Sequence, residues 1–253
     1  MKPVLIITAV PQEAELLQNN LQNRTAVKSA AFPHVSGTVG NLPVVICVGG
    51  VGKVNASAAC AVMMERIHPG LVINTGCAGA YAGSGLGVGD LAVASNEILG
   101  DEGVLTPDGW LDMREIKLPL LVRGNRRYYN EVPLSRHAAE KCMRLADYCG
   151  IQLVRGNFIT VSAGSGSLRR GEELAGRYGG ICENMEGAGV VFTCLRYGVD
   201  CLEIRGISNL VDDRDMSAWD IPRAVEAAQR FVLKYLEEMQ RPERSPNLAL
   251  PDP

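Results

Sequence analysis

The chain predicts an α/β fold with a largely parallel central sheet, and three observations carry that reading. Short continuous apolar runs, such as Val4-Leu5-Ile6-Ile7-Thr8-Ala9-Val10 and Leu71-Val72-Ile73-Asn74, have the pattern of strands buried on both faces. Longer segments of helical character, such as Lys53 to Ile67, lie between them. Glycine or proline clusters mark the changeovers, as at Gly49-Gly50-Val51-Gly52 and His68-Pro69-Gly70. At 253 residues the chain suits one large α/β domain or two small ones, and no repeat or linker divides it. The reading is one domain over 1–240 and a flexible C-terminal tail over 241–253, where four prolines occur.

The elements follow in order. Pro11 can open a helix after the first strand, because proline suits the first helical turn, and this sets Glu13 just beyond that strand. Val35 to Gly40 and Leu42 to Val48 read as a hairpin around Gly40-Asn41. Lys53 to Ile67 is a helix stopped at His68-Pro69-Gly70. Leu71 to Asn74 is a buried strand running into Thr75-Gly76-Cys77-Ala78-Gly79-Ala80. Val88 to Ala94 is a further strand introduced by Gly89-Asp90. Gly100 to Tyr129, rich in Gly, Pro and charge, reads as loops. Leu134 to Cys149 is helical and Ile151 to Val161 a strand. A Gly/Ser loop from Ala163 to Ser167 leads to a short helix over Leu168 to Tyr178. Ile181 to Asn184 is a strand that runs into a helix from Met185 to Tyr197, and Cys201 to Ile207 is the last strand. The final helix, begun by Trp219, shows Ile221, Ala224, Val225, Ala228, Phe231, Val232 and Tyr235 on one face at the i, i+3, i+4 spacing of a buried stripe.

Composition narrows the function. Apolar residues make up 47% and charged residues 21%, which excludes global disorder. A net charge of −3 supplies no broad basic field for nucleic acid. Arg123, Arg126 and Arg127 form one local basic knot, large enough for one or two carboxylates or phosphates. The eight cysteines make no C-x-x-C pair and sit mostly in apolar runs, so free thiols and a reducing, cytoplasmic setting are expected. The apolar run at the N-terminus is broken at once by Pro11-Gln12-Glu13, which fits no signal peptide. No run reaches the ~18 apolar residues of a membrane helix.

Common catalytic patterns fail. Gly50-Val51-Gly52-Lys53-Val54-Asn55 lacks the third glycine of a dinucleotide loop and the Ser/Thr of a P-loop. Three histidines, at 34, 68 and 137, give neither a metal cluster nor a nucleophile's partner. In α/β sheets, ligands bind beyond the carboxyl ends of strands. The polar groups expected there are Glu13, the Asn184-Met185-Glu186 segment and Asn209. Two carboxylates and an amide, without metal or histidine, suit cleavage of a glycosidic bond through an oxocarbenium-like sugar.

Six segments resemble the purine nucleoside phosphorylase/nucleosidase superfamily, in its nucleosidase branch. They are Ile7-Thr8-Ala9-Val10-Pro11-Gln12-Glu13, Gly50-Val51-Gly52-Lys53-Val54-Asn55-Ala56, Asn74-Thr75-Gly76-Cys77-Ala78-Gly79, Gly89-Asp90, Glu183-Asn184-Met185-Glu186-Gly187-Ala188 and Arg205-Gly206-Ile207-Ser208-Asn209. The resemblance spans Val4 to about Met239. It implies a single-domain three-layer α/β/α sandwich with a mixed, largely parallel sheet, no cofactor, no metal, a small-molecule nucleoside as substrate and a homo-oligomer. By motif, Glu13 matches the carboxylate that deprotonates the attacking water. Glu186 matches the one that accepts from the ribose hydroxyls, and Met185 packs under the sugar beside Asn184. Cys77, Ala78 and Gly79 line the sugar pocket. Phe158 and Ile159 match an aromatic-aliphatic step whose ring stacks on the purine and whose backbone meets its edge.

Asn209 stands where relatives that cleave adenine nucleosides carry aspartate. An amide offers both a donor and an acceptor, so its NH₂ can give to the O6 of a 6-oxopurine while its oxygen receives from protonated N7. A carboxylate facing O6 would be repelled, and each such buried mismatch costs about 1–3 kcal/mol. The resemblance thus points to hydrolysis of a 6-oxopurine nucleoside, with an adenine nucleosidase, a phosphorylase or a non-catalytic nucleoside binder as rival readings. Where the substrate carries an aromatic carboxylate tail, Arg214 is placed to clamp it and Trp219 to stack on it. The Arg123/Arg126/Arg127 knot and Trp110 are further tail contacts on this reading.

Overall fold

The computed structural model describes residues 1–241. The chain opens with β1 (Val4–Thr8), a 3₁₀ turn over Pro11–Glu13 and the short helix α1 (Glu15–Asn19). β2 (Gln22–Val27), β3 (His34–Val39) and β4 (Leu42–Val48) follow as an antiparallel meander. Helix α2 (Lys53–Ile67) leads to β5 (Leu71–Ala80) and β6 (Leu91–Leu99). Two small hairpins come next, β7 (Gly103–Thr106) with β8 (Gly109–Asp112), and β9 (Leu121–Arg123) with β10 (Arg126–Tyr128). Then come β11 (Glu131–Pro133), α3 (Arg136–Cys149), β12 (Leu153–Thr160), α4 (Leu168–Tyr178), β13 (Gly180–Asn184), α5 (Gly187–Tyr197), β14 (Asp200–Leu210) and α6 (Ile221–Glu238).

Ten strands form one mixed sheet in the order β11-β6-β12-β13-β5-β1-β4-β3-β2, with β14 paired to both β5 and β6. β6, β12, β13, β5 and β14 therefore close into a ring, and β1, β4, β3 and β2 extend from β5 as a wing. Alternation along β1 shows the three layers. Val4 and Ile6 pack into the cluster that holds Phe231 and Val232 of α6 and Leu145 of α3. Leu5 and Ile7 pack into the opposite cluster, with Met63 of α2 and Val190 of α5. Both clusters are sealed, so each such side chain contributes ~1.5–3 kcal/mol of burial.

The helix over Lys53–Ile67 and the one over Leu168–Tyr178 have the predicted bounds. The first ends where His68 takes a left-handed conformation, φ +49°, and donates its N–H to the Met64 carbonyl. Other expectations need correction. β6 runs to Leu99 rather than Ala94, and β14 to Leu210 rather than Ile207. Gly100 to Tyr129 is not all loop but holds the two hairpins. Trp219 precedes the last helix, whose N-cap is Asp220, accepting from Arg223 N. Ile221 is 43% exposed and not part of that helix's buried stripe. The tail reading beyond Arg241 lies outside the described residues. Among the described residues no helix is long and apolar enough to cross a membrane.

Candidate active site

Strand β5 changes partners along one edge, and the site opens where it does so. That edge pairs with β1 as far as Asn74, opposite Ile7, and meets β13 at Gly79, opposite Glu183. The amide of Cys77, in the interval between, donates not to a strand but to Glu13 Oε1, at 3.0 Å. Glu13 is 3% exposed, and its Oε2 accepts from Ala9 N at 2.9 Å and Val10 N at 3.3 Å. Gly76 makes this possible, since a Cβ there would overlap the Glu13 carboxylate. Burial, then the neighbouring Glu13 charge, push the Cys77 thiol up to about 11, so it stays neutral at pH 7.

A cavity of about 740 Å³ lies over this interval. Glu13, Cys77, Ala78, Gly79, Asn184, Met185, Glu186, Asn209, Arg214 and Trp219 all line it. The structure thus brings ten of the twelve predicted site residues to one space. Phe158 and Ile159 are the exceptions. Both sit within β12 at 0% exposure, Phe158 in the core beneath α5 and Ile159 against Tyr81 and Leu174. The strand continues past them, and the cavity wall on this side is instead Val161, Gly164 and Ser165. The basic knot is also elsewhere. Arg123 lies at a separate, small cavity near Cys194 and Gly198. Trp110 donates its Nε1–H to the Tyr178 hydroxyl at 3.1 Å, away from this cavity.

Glu186 stands at the start of α5, where Oε1 accepts from Gly52 N at 2.9 Å. Its Oε2 is 3.5 Å from Arg205 Nη1. Asn184 holds this turn together, as its Oδ1 accepts from Glu186 N at 2.9 Å and Gly187 N at 2.7 Å. Arg205 is 1% exposed and spends every nitrogen inward, donating from Nε to Glu203 at 2.9 Å, from Nη1 to the Cys77 carbonyl and from Nη2 to Asn184 Oδ1, both at 3.3 Å. Burial alone would lower its pKa, but Glu203, Glu186 and Glu13 outweigh burial and raise it.

Behind Arg205, Glu97 and Glu203 converge on Gly187, where a Cβ would overlap oxygens of both. Burial, then the Glu203 charge, hold Glu97 well above the usual carboxylate range. Glu97 therefore gives up its proton less readily than an ordinary carboxyl, while Glu203 pairs with Arg205. Glu97 also accepts from Thr160 Oγ1 at 2.7 Å and Asn184 Nδ2 at 2.6 Å. This chain of contacts anchors the turn that carries Glu186.

At the other end, Asn209 is not beyond the last strand but inside it. A bulge at Ser208 breaks the register of β14 between Ile207, opposite Ala78, and Asn209, opposite Gly79. Bulges re-aim side chains, and this one brings the Asn209 amide into the cavity. Its Oδ1 accepts from Ser208 Oγ at 2.8 Å and its Nδ2 donates to the Leu210 carbonyl at 3.0 Å. Glu183 faces the same cavity from β13, with Oε1 accepting from Ser165 N at 2.7 Å and Oε2 from Ser165 Oγ at 2.6 Å and Tyr81 Oη at 3.0 Å.

Glu183, Ser165 and Arg205 were assigned no role from the sequence. Signals were there: charged residues inside the apolar runs Ile181-Cys182-Glu183 and Leu202-Glu203-Ile204-Arg205 are rarely buried without purpose.

Comparison with known proteins agrees with this architecture. The model of the Phosphorylase superfamily matches residues 3–237. A futalosine hydrolase from Acidothermus cellulolyticus is 34% identical over 226 residues, covering 87% of this chain and 85% of the relative. A 5'-methylthioadenosine/S-adenosylhomocysteine nucleosidase from Exiguobacterium is 28% identical, covering 85% and 88%. The crystal structure of the corresponding nucleosidase from Neisseria meningitidis, in complex with methylthio-immucillin-A, superposes with a TM-score of 0.82 at 23% identity, covering 94% of this chain and 100% of that one. The chain belongs to the phosphorylase superfamily.

Proposed function

We propose that the protein is a futalosine hydrolase, cleaving the N-ribosidic bond with water to release hypoxanthine and leave dehypoxanthinylfutalosine. One observation carries this reading: Glu13, Glu186 and the Asn209 amide line a single cavity. The likeness to the Acidothermus futalosine hydrolase supports it.

The geometry suggests the division of labour. Glu13 Oε1 accepts one backbone N–H, which leaves a lone pair for the proton of an attacking water. Glu186 accepts from the ribose hydroxyls, whose acidity grows as the sugar becomes cationic, so these bonds strengthen in the transition state. Met185 packs against the sugar, and the backbone of Cys77 to Gly79 forms the floor. Asn209 meets O6 and N7 as negative charge gathers on the departing purine. The lining holds three carboxylates, Glu13, Glu183 and Glu186, against one guanidinium, Arg214, a balance that favours water over phosphate as nucleophile. Arg214 lies over the Trp219 ring at 5.7 Å, and the Trp219 Nε1–H is buried without a partner. Both donors suit the carboxylate of the substrate's aryl tail. Eight free cysteines suit work in a reducing cytoplasm. A homo-oligomer fits apolar surface such as Val54 and Leu105, 83% and 80% exposed, and size-exclusion chromatography with light scattering tests it.

The likeness to the Exiguobacterium nucleosidase supports a second reading, release of adenine from methylthioadenosine or S-adenosylhomocysteine. Chromatography of the bases released from futalosine, inosine, aminofutalosine and methylthioadenosine separates the two. Hypoxanthine released from futalosine at the highest kcat/KM is expected. Adenine released from methylthioadenosine at a higher kcat/KM would overturn the first reading.

A further inference from the structure

We infer that Glu183 is a specificity-determining residue that reads the N1–H of a 6-oxopurine, working across Gly79 from Asn209. The inference rests on the proposed nucleosidase reading and extends it to a residue to which neither the motifs nor that reading gives a part in base recognition.

The sheet register carries the case. Gly79 of β5 is opposite Glu183 of β13 on one edge and opposite Asn209 of β14 on the other. Directly paired residues on adjacent strands project to the same face. Glu183 and Asn209 are thus two strand spacings apart, about 10 Å between backbones, and aim into the same cavity. Between them Gly79 presents no side chain, and a Cβ there would lie 3.1 Å from both Asn209 Nδ2 and Val211 Cγ2. The result is a slot with a bare floor, an amide on one wall and a carboxylate on the other.

The carboxylate is held rather than free. Ser165 N and Oγ and the Tyr81 hydroxyl fix it, and the Tyr81 phenol stays protonated because burial, then Glu183 itself, raise its pKa. Oε1 accepts only from Ser165 N among the described contacts, so it retains a site for one more donor. A 6-oxopurine supplies that donor at N1, next to the O6 that Asn209 addresses. Adenine instead has a lone pair at N1, which a carboxylate acceptor repels. Asn209 suits the O6/N7 edge but, able to donate and accept, does not repel adenine. Glu183 can only accept, so it supplies the sharper discrimination.

The test measures kcat/KM for futalosine and aminofutalosine, which differ only in the O6/N1–H edge, in the wild type and in Glu183→Gln. Glutamine keeps the side-chain length and an acceptor for Ser165 N, but adds a donor. The expected result is a loss of about 10- to 100-fold in the preference for futalosine, the strength of one hydrogen bond to a charged group. A preference unchanged by the substitution, or equal losses on both substrates, would overturn the inference and leave Glu183 as a latch for the Gly164–Ser165 loop. A wild type that releases no hypoxanthine from futalosine would instead overturn the parent reading. The wild type alone gives a second check, through hydrolysis of inosine and 1-methylinosine. Methylation removes the N1 proton and is expected to cost about 10-fold or more, whereas equal rates would overturn the inference.

Discussion

At the end of the cavity proposed to hold the sugar, each carboxylate is tied to backbone. Glu13 takes three N–H donors, and Glu186 takes one beside the buried Arg205, whose own partners run back to Glu203. At the mouth, Arg214 hangs from an exposed loop whose polar groups bond mostly to one another. Asp212 Oδ1 accepts from Arg214 N and Asp215 N, and Asp215 Oδ1 from Ser217 N and Oγ. The first arrangement is braced by the core of the fold, whereas the second is braced mainly within its own exposed loop. Preorganised groups act on the transition state and loosely held ones on capture. Substitutions at the sugar end should therefore fall on kcat, and those at the mouth on KM.

The largest effect is expected at Glu13. Glu13→Gln removes the base while preserving size, and kcat should drop about 10²- to 10⁴-fold with KM little changed. A variant with near-normal kcat in steady-state assays would break the contrast at its strongest point. Asn209→Asp should move the futalosine-to-aminofutalosine preference toward adenine by about 10- to 100-fold. Measured base ratios that stay put would take Asn209 out of base recognition. Arg214→Met should raise KM about 5- to 10-fold for futalosine and leave inosine, which has no tail, unaffected. A fall in kcat on both substrates would show the mouth to be as preorganised as the floor.

The smallest effect concerns the buried acid pair. Glu97 has a raised pKa in the folded chain, so its contribution to stability is complete in acid, below the unfolded carboxyl range, and is lost as pH climbs through the folded value. Glu97→Gln is neutral throughout. Its Tm should fall by a few degrees less than the wild type's between about pH 5 and about pH 8. Parallel Tm curves would mean that Glu97 ionises in the folded chain as readily as in the unfolded one.

The sequence made some of this legible and hid the rest for identifiable reasons. Helices with clear stops, such as Lys53–Ile67 before His68-Pro69-Gly70, could be bounded from local signals. So could the positions of Glu13 and Glu186 beside strand ends. The Ser208 bulge could not, because it depends on the register against β5, and Asn209 therefore read as lying past a strand that in fact runs through it. The end of β6 was lost because Ser95-Asn96-Glu97 looks like a loop until its partners are known. Asn157 Oδ1 receives Ser95 Oγ and Asn96 Nδ2, both at 2.9 Å, and Glu97 is satisfied by Thr160 and Asn184. Thr106-Pro107-Asp108-Gly109 carried a turn signal, but the strands it joins are four residues each, too short for an alternation to stand out. Phe158 and Ile159 match the family step in residue type alone. The strand expected over Ile151 to Val161 already encloses both, and its pairing with β6 and β13 buries the ring and leaves the cavity wall to the less conspicuous Gly164 and Ser165.

The most direct test of the central claim follows the nucleophile. Futalosine cleaved in H₂¹⁸O with inorganic phosphate present should give a sugar product labelled at C1, at a rate indifferent to phosphate, with Glu13→Gln silent. Unlabelled sugar 1-phosphate, formed only when phosphate is supplied, would contradict water activation by Glu13.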